Sequence, residues 1–318
     1  MLKQAVCPVL IFLVTNSVAN AQAEPKHHRP PQSAADLKFW LENMIWYHNY
    51  SLDEIERATG LPPAKIIEAQ RAYDIYPETR PERSSEAKLL VLPYPGGRHP
   101  RIGFLEGAIR PQRETKASVF LPWDPESYVV VDVPEAIWSN LGLTYLAHTH
   151  VPTVWEKTNV ELEPLEWERL ADGSFKLERT LPNGIRFGTL VVPRKDHVAM
   201  EMWLHNGTDE TLTDLRVQNC VMLREAEGFN QQTTDNRLSR NPFMAVRNPA
   251  GNRWIITAWE PCHRPWGNGR CPCLHSDPKF PDCKPGETKR LRGWLSFYEG
   301  TEIDKELDRI EEVGWLTP

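Results

Sequence analysis

The chain runs to 318 residues with a formal net charge of −6 at pH 7 and a pI near 6.0, which leaves no basic footprint for nucleic acid or an anionic membrane surface. Hydrophobic residues at 40% and charged residues at 25% describe a globular chain and exclude a disordered one. The 28 prolines exclude long helices and long central strands over most of the length and favour short strands joined by turns and long loops.

The N-terminus carries Lys3, an apolar run from Ala5 to Val14, and the small-residue close Ala21-Gln22-Ala23. That three-part pattern predicts a cleaved signal peptide over residues 1–23 and a secreted or periplasmic protein. The run falls short of the roughly 20 residues that span a bilayer, and no second one of that length follows, so no stable membrane insertion is expected. Residues 24–35 are polar and aperiodic and read as a tether.

Residues 36–76 read as a small helical domain. Leu37, Trp40, Leu41, Met44 and Ile45 recur at helical spacing, Ser51 and Glu54 make a capping box for a second helix, Gly60 ends it, and Pro62-Pro63 open a third. The arrangement is helix-turn-helix-like. Its acids (Asp36, Glu42, Asp53, Glu54, Glu56, Glu68, Asp74) outnumber its bases (Lys38, Arg57, Lys65, Arg71), which is wrong for gripping phosphates, and export would separate it from DNA. The expected role is a structural cap or interaction module, with no nucleic acid partner. Residues 77–88, charged and Pro-bearing, read as a linker.

From Leu89 onward the hydrophobic period changes from helix to strand. Strands are expected at Arg101–Ile109, Lys116–Leu121, Tyr128–Val133, Leu143–Ala147, Leu162–Arg169, Ser174–Leu181, Ile185–Val192, His197–His205, Thr213–Leu223, Phe243–Arg247, Arg253–Glu260 and Lys289–Tyr298. None is followed by a helix long enough to cross over, so the expected fold is mainly β, a large antiparallel β-sandwich over residues 89–300. Residues 301–318 read as a C-terminal helix and tail, opened by Thr301 and Asp304, with Ile303, Leu307 and Ile310 on one face.

No nucleotide loop, nucleophile elbow or zinc-protease motif occurs. Three clusters remain. In the first, His148 and His150 share a face if extended and could hold one ion, with Glu156 as acid or base and Trp155 beside it; the alternative is a pair of ordinary hydrogen-bonded histidines at a strand end. The second is a Pro- and Gly-rich loop carrying Cys262, His263, Arg264, Trp266, Cys271, Cys273, His275 and Asp277, with Cys283 just beyond. In an exported chain its four cysteines are expected to form two disulfides, leaving Cys220 over inside a strand; the rival is a zinc knot of the thiolates with His263 or His275. The third, around Glu106, Arg110, Arg113, Glu114 and Lys116, reads as a solvated face or, functionally, as an acid with Arg113 holding substrate.

The segment His197 to Val217, a strand ending in Asn206-Gly207-Thr208-Asp209 and turning into the next, resembles the sheets of secreted carbohydrate-active β-sandwiches, including galactose-mutarotase-like supersandwiches. The chain as a whole resembles exported proteins of planctomycete-type bacteria. The first resemblance implies a histidine and a carboxylate acting on a sugar. The expectation is therefore a glycoside hydrolase or polysaccharide lyase acting on a polysaccharide or oligosaccharide. Its acid–base residues would come from His148, His150, Glu156, His275 and Asp277, its sugar contacts from Trp155, Trp266, Arg113 and Arg264. A divalent metal, zinc or calcium, could sit on His148, His150 and His263. The alternative is a non-catalytic carbohydrate- or cell-wall-binding protein using the same surface.

Overall fold

The computed structural model describes residues 28–103, 113–148 and 151–315. The signal peptide, His150, Glu106 and Arg110 lie outside the described residues.

Local signals act where the sequence places them. Ser33 accepts the Asp36 N–H at the start of α1 (Ala34–Glu42), which continues as a π-helical turn through Tyr47. Ser51 and Glu54 form the reciprocal capping box of α2 (Leu52–Thr59), which ends on Gly60 at φ 70°, a left-handed conformation open to glycine. Pro63 starts α3 (Pro63–Tyr73). The three helices bury Trp40, Leu41, Met44, Ile45, Ile55, Ala58 and Ile66 against one another.

Fifteen strands follow among the described residues: β1 (Val91–Pro93), β2 (Lys116–Leu121), β3 (Asp124–Ser139), β4 (Gly142–Leu146), β5 (Glu168–Arg169), β6 (Phe175–Thr180), β7 (Arg186–Pro193), β8 (His197–His205), β9 (Val217–Met222), β10 (Arg237–Arg240), β11 (Phe243–Arg247), β12 (Arg253–Glu260), β13 (Cys262–Asn268), β14 (Cys273–Pro278) and β15 (Thr288–Glu299). They make two antiparallel sheets. The first runs β1-β2-β3-β9-β14-β13, with β4 paired to the second half of β3; the second runs β10-β11-β12-β15-β8-β7-β6-β5. The fold is thus mainly β, a large sandwich of two sheets with a helical unit before it and a helix after it.

The core between the sheets comes from alternate residues of each strand, among them Val129, Val131, Val221 and Leu274 from the first sheet and Phe187, Met202, Val246 and Leu295 from the second. The outer face of the second sheet packs Phe243, Trp254, Ile256 and Trp294 against Ile303, Leu307 and Ile310 of α4 (Ile303–Glu312). That helix begins one residue later than the expected Thr301 cap: Glu302 is its N-cap and makes no side-chain capping bond.

Three expectations change here. The cysteine loop is a β-hairpin, β13 and β14. Pro265 is accommodated because β13 is the sheet edge, where a missing N–H leaves no ladder bond unmade. The expected strand at Leu162–Arg169 shrinks to Glu168–Arg169, and of the expected Arg101–Ile109 strand the described residues 101–103 form bends.

The helical unit covers one end of the outer face of the first sheet, where Tyr47 meets Tyr94, Phe120, Tyr128 and Val130. His48 is buried there. Its Nδ1 lies 2.9 Å from the Asn43 carbonyl and its Nε2 2.7 Å from Ser118 Oγ. A carbonyl only accepts, so Nδ1 carries the proton and Nε2 accepts from the Ser118 hydroxyl. Nearby Arg98 pairs with Glu54 at 2.7 Å and donates to the Tyr128 hydroxyl at 3.1 Å. Burial pushes the His48 pKa down to about 3, with Arg98 adding to the effect against the Asn43 bond. Burial works to raise Glu54, but the Arg98 and Ser51 hydrogen bonds outweigh it and hold the carboxyl at about 2.

Both shifts leave the docked state less stable in acid than at neutral pH. His48, neutral in the fold, begins to cost stability as pH falls below the unfolded value of about 6.5, at about 1.4 kcal/mol per pH unit, until about pH 3. Glu54 adds to the loss as pH falls from about 4.5 toward 2. Unfolding free energies at pH 7 and pH 5 should therefore differ less in His48→Gln than in the wild type, by about 2 kcal/mol. Equal pH slopes in the two proteins would contradict this account.

Candidate functional site

Strand alternation decides which side chains gather on the outer face of the first sheet. On β14, Leu274 enters the core and Ser276 turns inward to the Trp259 N–H and Pro242 carbonyl of the second sheet. Cys273, His275 and Asp277 therefore face outward. On β9, Val221 enters the core and Cys220 and Met222 face outward; on β3, Val129, Val131 and Val133 point in while Tyr128, Val130 and Asp132 point out. On β2, Ala117 and Val119 point in and leave Lys116 and Ser118 outside.

Register then aligns them. Lys116 lies opposite Asp132, and Asp132 opposite Cys220. The pairing of Cys273 with Met222 and Leu274 with Val221 brings His275 beside Cys220, and Trp266 of the edge strand lies opposite His275. A polar row thus crosses five strands under near-complete burial. Beside it lie Glu135, past a register shift in β3, and His148, just after β4.

Each charge in the row is matched. Lys116 Nζ lies 2.9 Å from Asp132 Oδ2, Thr115 donates to Asp132 Oδ1 at 2.5 Å, and Arg101 pairs with Glu135 at 2.5 Å. His148 lies between the two carboxylates, with Nδ1 3.9 Å from Asp132 and Nε2 3.4 Å from Glu135. At the other end the Cys220, Cys273 and His275 ligand atoms all lie within 4.8 Å of one another, and the Cys273 sulfur is 3.1 Å from His275 Nε2. The His275 ring stacks on Trp266 at 4.0 Å and 7°, with Nδ1 3.6 Å from Asp277. Asp277 also accepts from Trp266 Nε1 at 2.6 Å and from Arg264 at 3.2 Å.

These contacts set the proton affinities. Burial pushes Asp132 up to about 6, helped by Glu135 and opposed by Lys116. Burial also works to raise Glu135, but Arg101, His148 and His275 outweigh it and hold that carboxyl well below the usual range. Burial resists ionisation of Cys220, yet the Cys273 hydrogen bond and the charges of His275 and Arg101 pull its thiol down. Burial disfavours the charged form of His275, and the neighbouring Cys220 and Asp277 more than compensate, raising it.

Of the residues singled out from sequence, His148, His275, Asp277, Trp266 and Arg264 come together along this row. Others do not. The Glu156 carboxylate accepts the Thr153 N–H at 2.8 Å and so caps its own turn. Trp155 packs on the core between the sheets and donates to the Thr144 carbonyl at 2.7 Å. Arg113 is buried over the Trp40 ring at 3.7 Å and pairs with Glu166, tying the helical unit down. His263 is exposed on β13 and His148 is buried, while His150 lies outside the described residues; among the described residues, the group of potential ligands that converges is Cys220, Cys273 and His275.

The two expected disulfides are absent: Cys220, Cys262, Cys271, Cys273 and Cys283 are all free thiols. The reason is positional. Cys262 sits against Ser276, Cys283 lies in the core at a bridge with Leu212, and Cys271 and Cys273 turn toward Cys220 rather than toward either of those two. Asp132, Glu135 and Cys220 were missed as site residues. Their signal in the sequence is faint but readable: two acids interrupt Val129-Val130-Val131-Asp132-Val133-Pro134-Glu135, where the fold requires burial.

The sequence matches no family model and no curated protein. Among solved structures, the chain is similar to a candidate aldose 1-epimerase of Escherichia coli K12, at 12% identity over 55% of this chain and 84% of that one, with a TM-score of 0.34. It is similar to a candidate kojibiose phosphorylase from human microbiome at 9% identity over 71% of this chain and 28% of that one, TM-score 0.36. It is similar to a heparan sulfate lyase mutant of Pedobacter heparinus at 9% identity over 84% of this chain and 46% of that one, TM-score 0.36.

The match between Lys116 and Asp132, both fully buried, has a measurable consequence. Lys116→Met should destabilise the fold by about 3–5 kcal/mol, because it leaves a buried carboxylate unpaired. The double variant Lys116→Met with Asp132→Leu should recover most of that loss. Additive losses in denaturant titrations would show that the pair is not what neutralises the row.

Proposed function

We propose that the protein is a carbohydrate-active enzyme working by acid–base catalysis outside the cytoplasm, with its chemistry at Asp132, Glu135 and His148. The observation that carries this reading is the His148 imidazole placed between two buried carboxylates, each with its own cation. Hydrolysis of an acetal, epimerisation at an anomeric carbon and elimination next to a uronic acid each need one proton delivered and one removed. Asp132, whose proton affinity burial raises to about 6, is the proton acceptor in this scheme, and Glu135, held ionised by Arg101, keeps a negative charge beside His148. His148 holds the proton to be delivered, with its Nε2 3.4 Å from the ionised Glu135.

Trp266 and Arg264 extend the row to the sheet edge, where the Arg264 guanidinium lies 4.9 Å from the indole centroid. With Arg264 more than half exposed, this end supplies polar donors and an aromatic edge for a hydroxylated substrate.

A screen of polysaccharides and oligosaccharides for released reducing ends, unsaturated products and anomer interconversion tests the reading. Activity found in the wild type should fall roughly 100- to 10,000-fold in Asp132→Asn and in His148→Ala. It should stay within a few-fold in Glu156→Ala, whose carboxylate only caps a turn. Full activity in Asp132→Asn and His148→Ala, or sugar binding without turnover of any substrate class, would overturn it.

A further inference from the structure

We infer that Cys220, Cys273 and His275 form a zinc-binding site on the outer face of the first sheet, separate from the carboxylate–imidazole chemistry proposed above. The inference starts from donor type and placement. Two sulfurs and one imidazole nitrogen, carried by two neighbouring strands, lie within 4.8 Å of one another. Sulfurs bound to one tetrahedral zinc at about 2.3 Å sit a little under 4 Å apart, so only a small contraction is needed to close the set around an ion. Cys271, in the turn just before β14, is buried with its thiol toward Cys273.

The second observation is how the imidazole is held. Its Nε2 faces the sulfurs, 3.1 Å from Cys273, while its Nδ1 faces the Asp277 carboxylate at 3.6 Å. Its ring plane is fixed by the parallel indole of Trp266 at 4.0 Å. Asp277 is fixed in turn by the Trp266 and Arg264 donors and the Asn219 backbone N–H. A hydrogen-bonded carboxylate beside the far nitrogen of a ligand imidazole is the pairing that metal sites use to set the ring and raise its basicity, and here the two stand 3.6 Å apart, beyond a hydrogen bond. Packing three soft side chains into a sheet face does not require that pairing.

The charge balance also fits. Two thiolates neutralise a divalent ion, and the flanking Arg101 is already matched by Glu135, so the loaded site adds no net charge to a buried face. Thiolate and imidazole donors select zinc over calcium, which takes oxygen ligands. Binding displaces to solvent the protons that the sulfurs and the metal-facing imidazole nitrogen carry.

The test uses the full chain, purified under reducing conditions and stripped with a chelator. Zinc alone is titrated in and counted by elemental analysis, and Co2+ is used as a spectroscopic probe. One zinc per chain is expected, together with a thiolate-to-cobalt charge-transfer band. Cys220→Ser and Cys273→Ser, nearly isosteric, should lose the band and bind zinc at least about 100-fold more weakly, whereas Cys262→Ser should behave as wild type. Asp277→Asn should keep the band and weaken zinc by about 10- to 100-fold.

Wild-type protein that takes up no stoichiometric zinc and shows no thiolate band would overturn the site. So would Cys220→Ser and Cys273→Ser proteins that bind zinc like the wild type. If a serine variant fails to fold, the wild-type cobalt spectrum decides alone, since only sulfur ligation produces the band. Neither readout is enzymatic, so failure of the zinc site and failure of the acid–base reading are told apart.

Discussion

Antiparallel register across β2, β3, β9 and β14 is the constraint on which the rest of the molecule depends. Because side chains alternate with a period of two, a slip of one residue in any of these strands would exchange its faces. Asp132, Cys220 or His275 would then enter the core among Val131, Val221 and Leu274, and an aliphatic side chain would take its place in the row. Burying an unpaired carboxylate costs several kcal/mol, so the register is enforced as strongly by the polar face as by the apolar one.

The outer face of this sheet is divided along its length. One end carries Phe120, Tyr128, Val130 and Met222, closed by Tyr47 and His48 of the helical unit. The other carries the charged and sulfur-bearing row. The helical unit, whose capping boxes and turn suggest a DNA-reading module when read alone, is fastened to the sheet through the Arg98–Glu54 pair, the Asn43 side-chain bond to the Pro93 carbonyl, and Arg113 beneath Trp40. Its place in the structure is that of a lid on the aromatic half of the sheet.

The fold was legible in the sequence wherever hydrophobic period governs. The strands His197–His205, Phe243–Arg247 and Arg253–Glu260 fall at the boundaries their alternation implies, and the caps at Ser51, Gly60 and Pro63 act as their chemistry requires. The site was legible only in part. His275, Asp277, Trp266 and Arg264 stand out as polar and aromatic residues beside cysteines. The same prolines and glycines that flag them also hide that they form a hairpin, since an edge strand tolerates what a central strand cannot. Which cysteine faces which depends on pairing between strands far apart in sequence, and no local pattern encodes that. Cys220 therefore reads as a leftover thiol although it lies at the centre of the row. Glu156 and Trp155 mislead for the opposite reason: they suit a site chemically, but local geometry commits them to a turn and to the core.

The claim at the centre of this account is that Cys220 faces the hairpin cysteines across the sheet, and controlled oxidation of the folded, metal-stripped chain with peptide mapping tests it most directly. The register described here predicts that Cys220 is recovered joined to Cys273 or Cys271, with Cys262 and Cys283 left as free thiols. Recovery of Cys220 as a free thiol, with Cys262, Cys271, Cys273 and Cys283 paired among themselves, would contradict the row and restore the stapled loop that the sequence alone suggests.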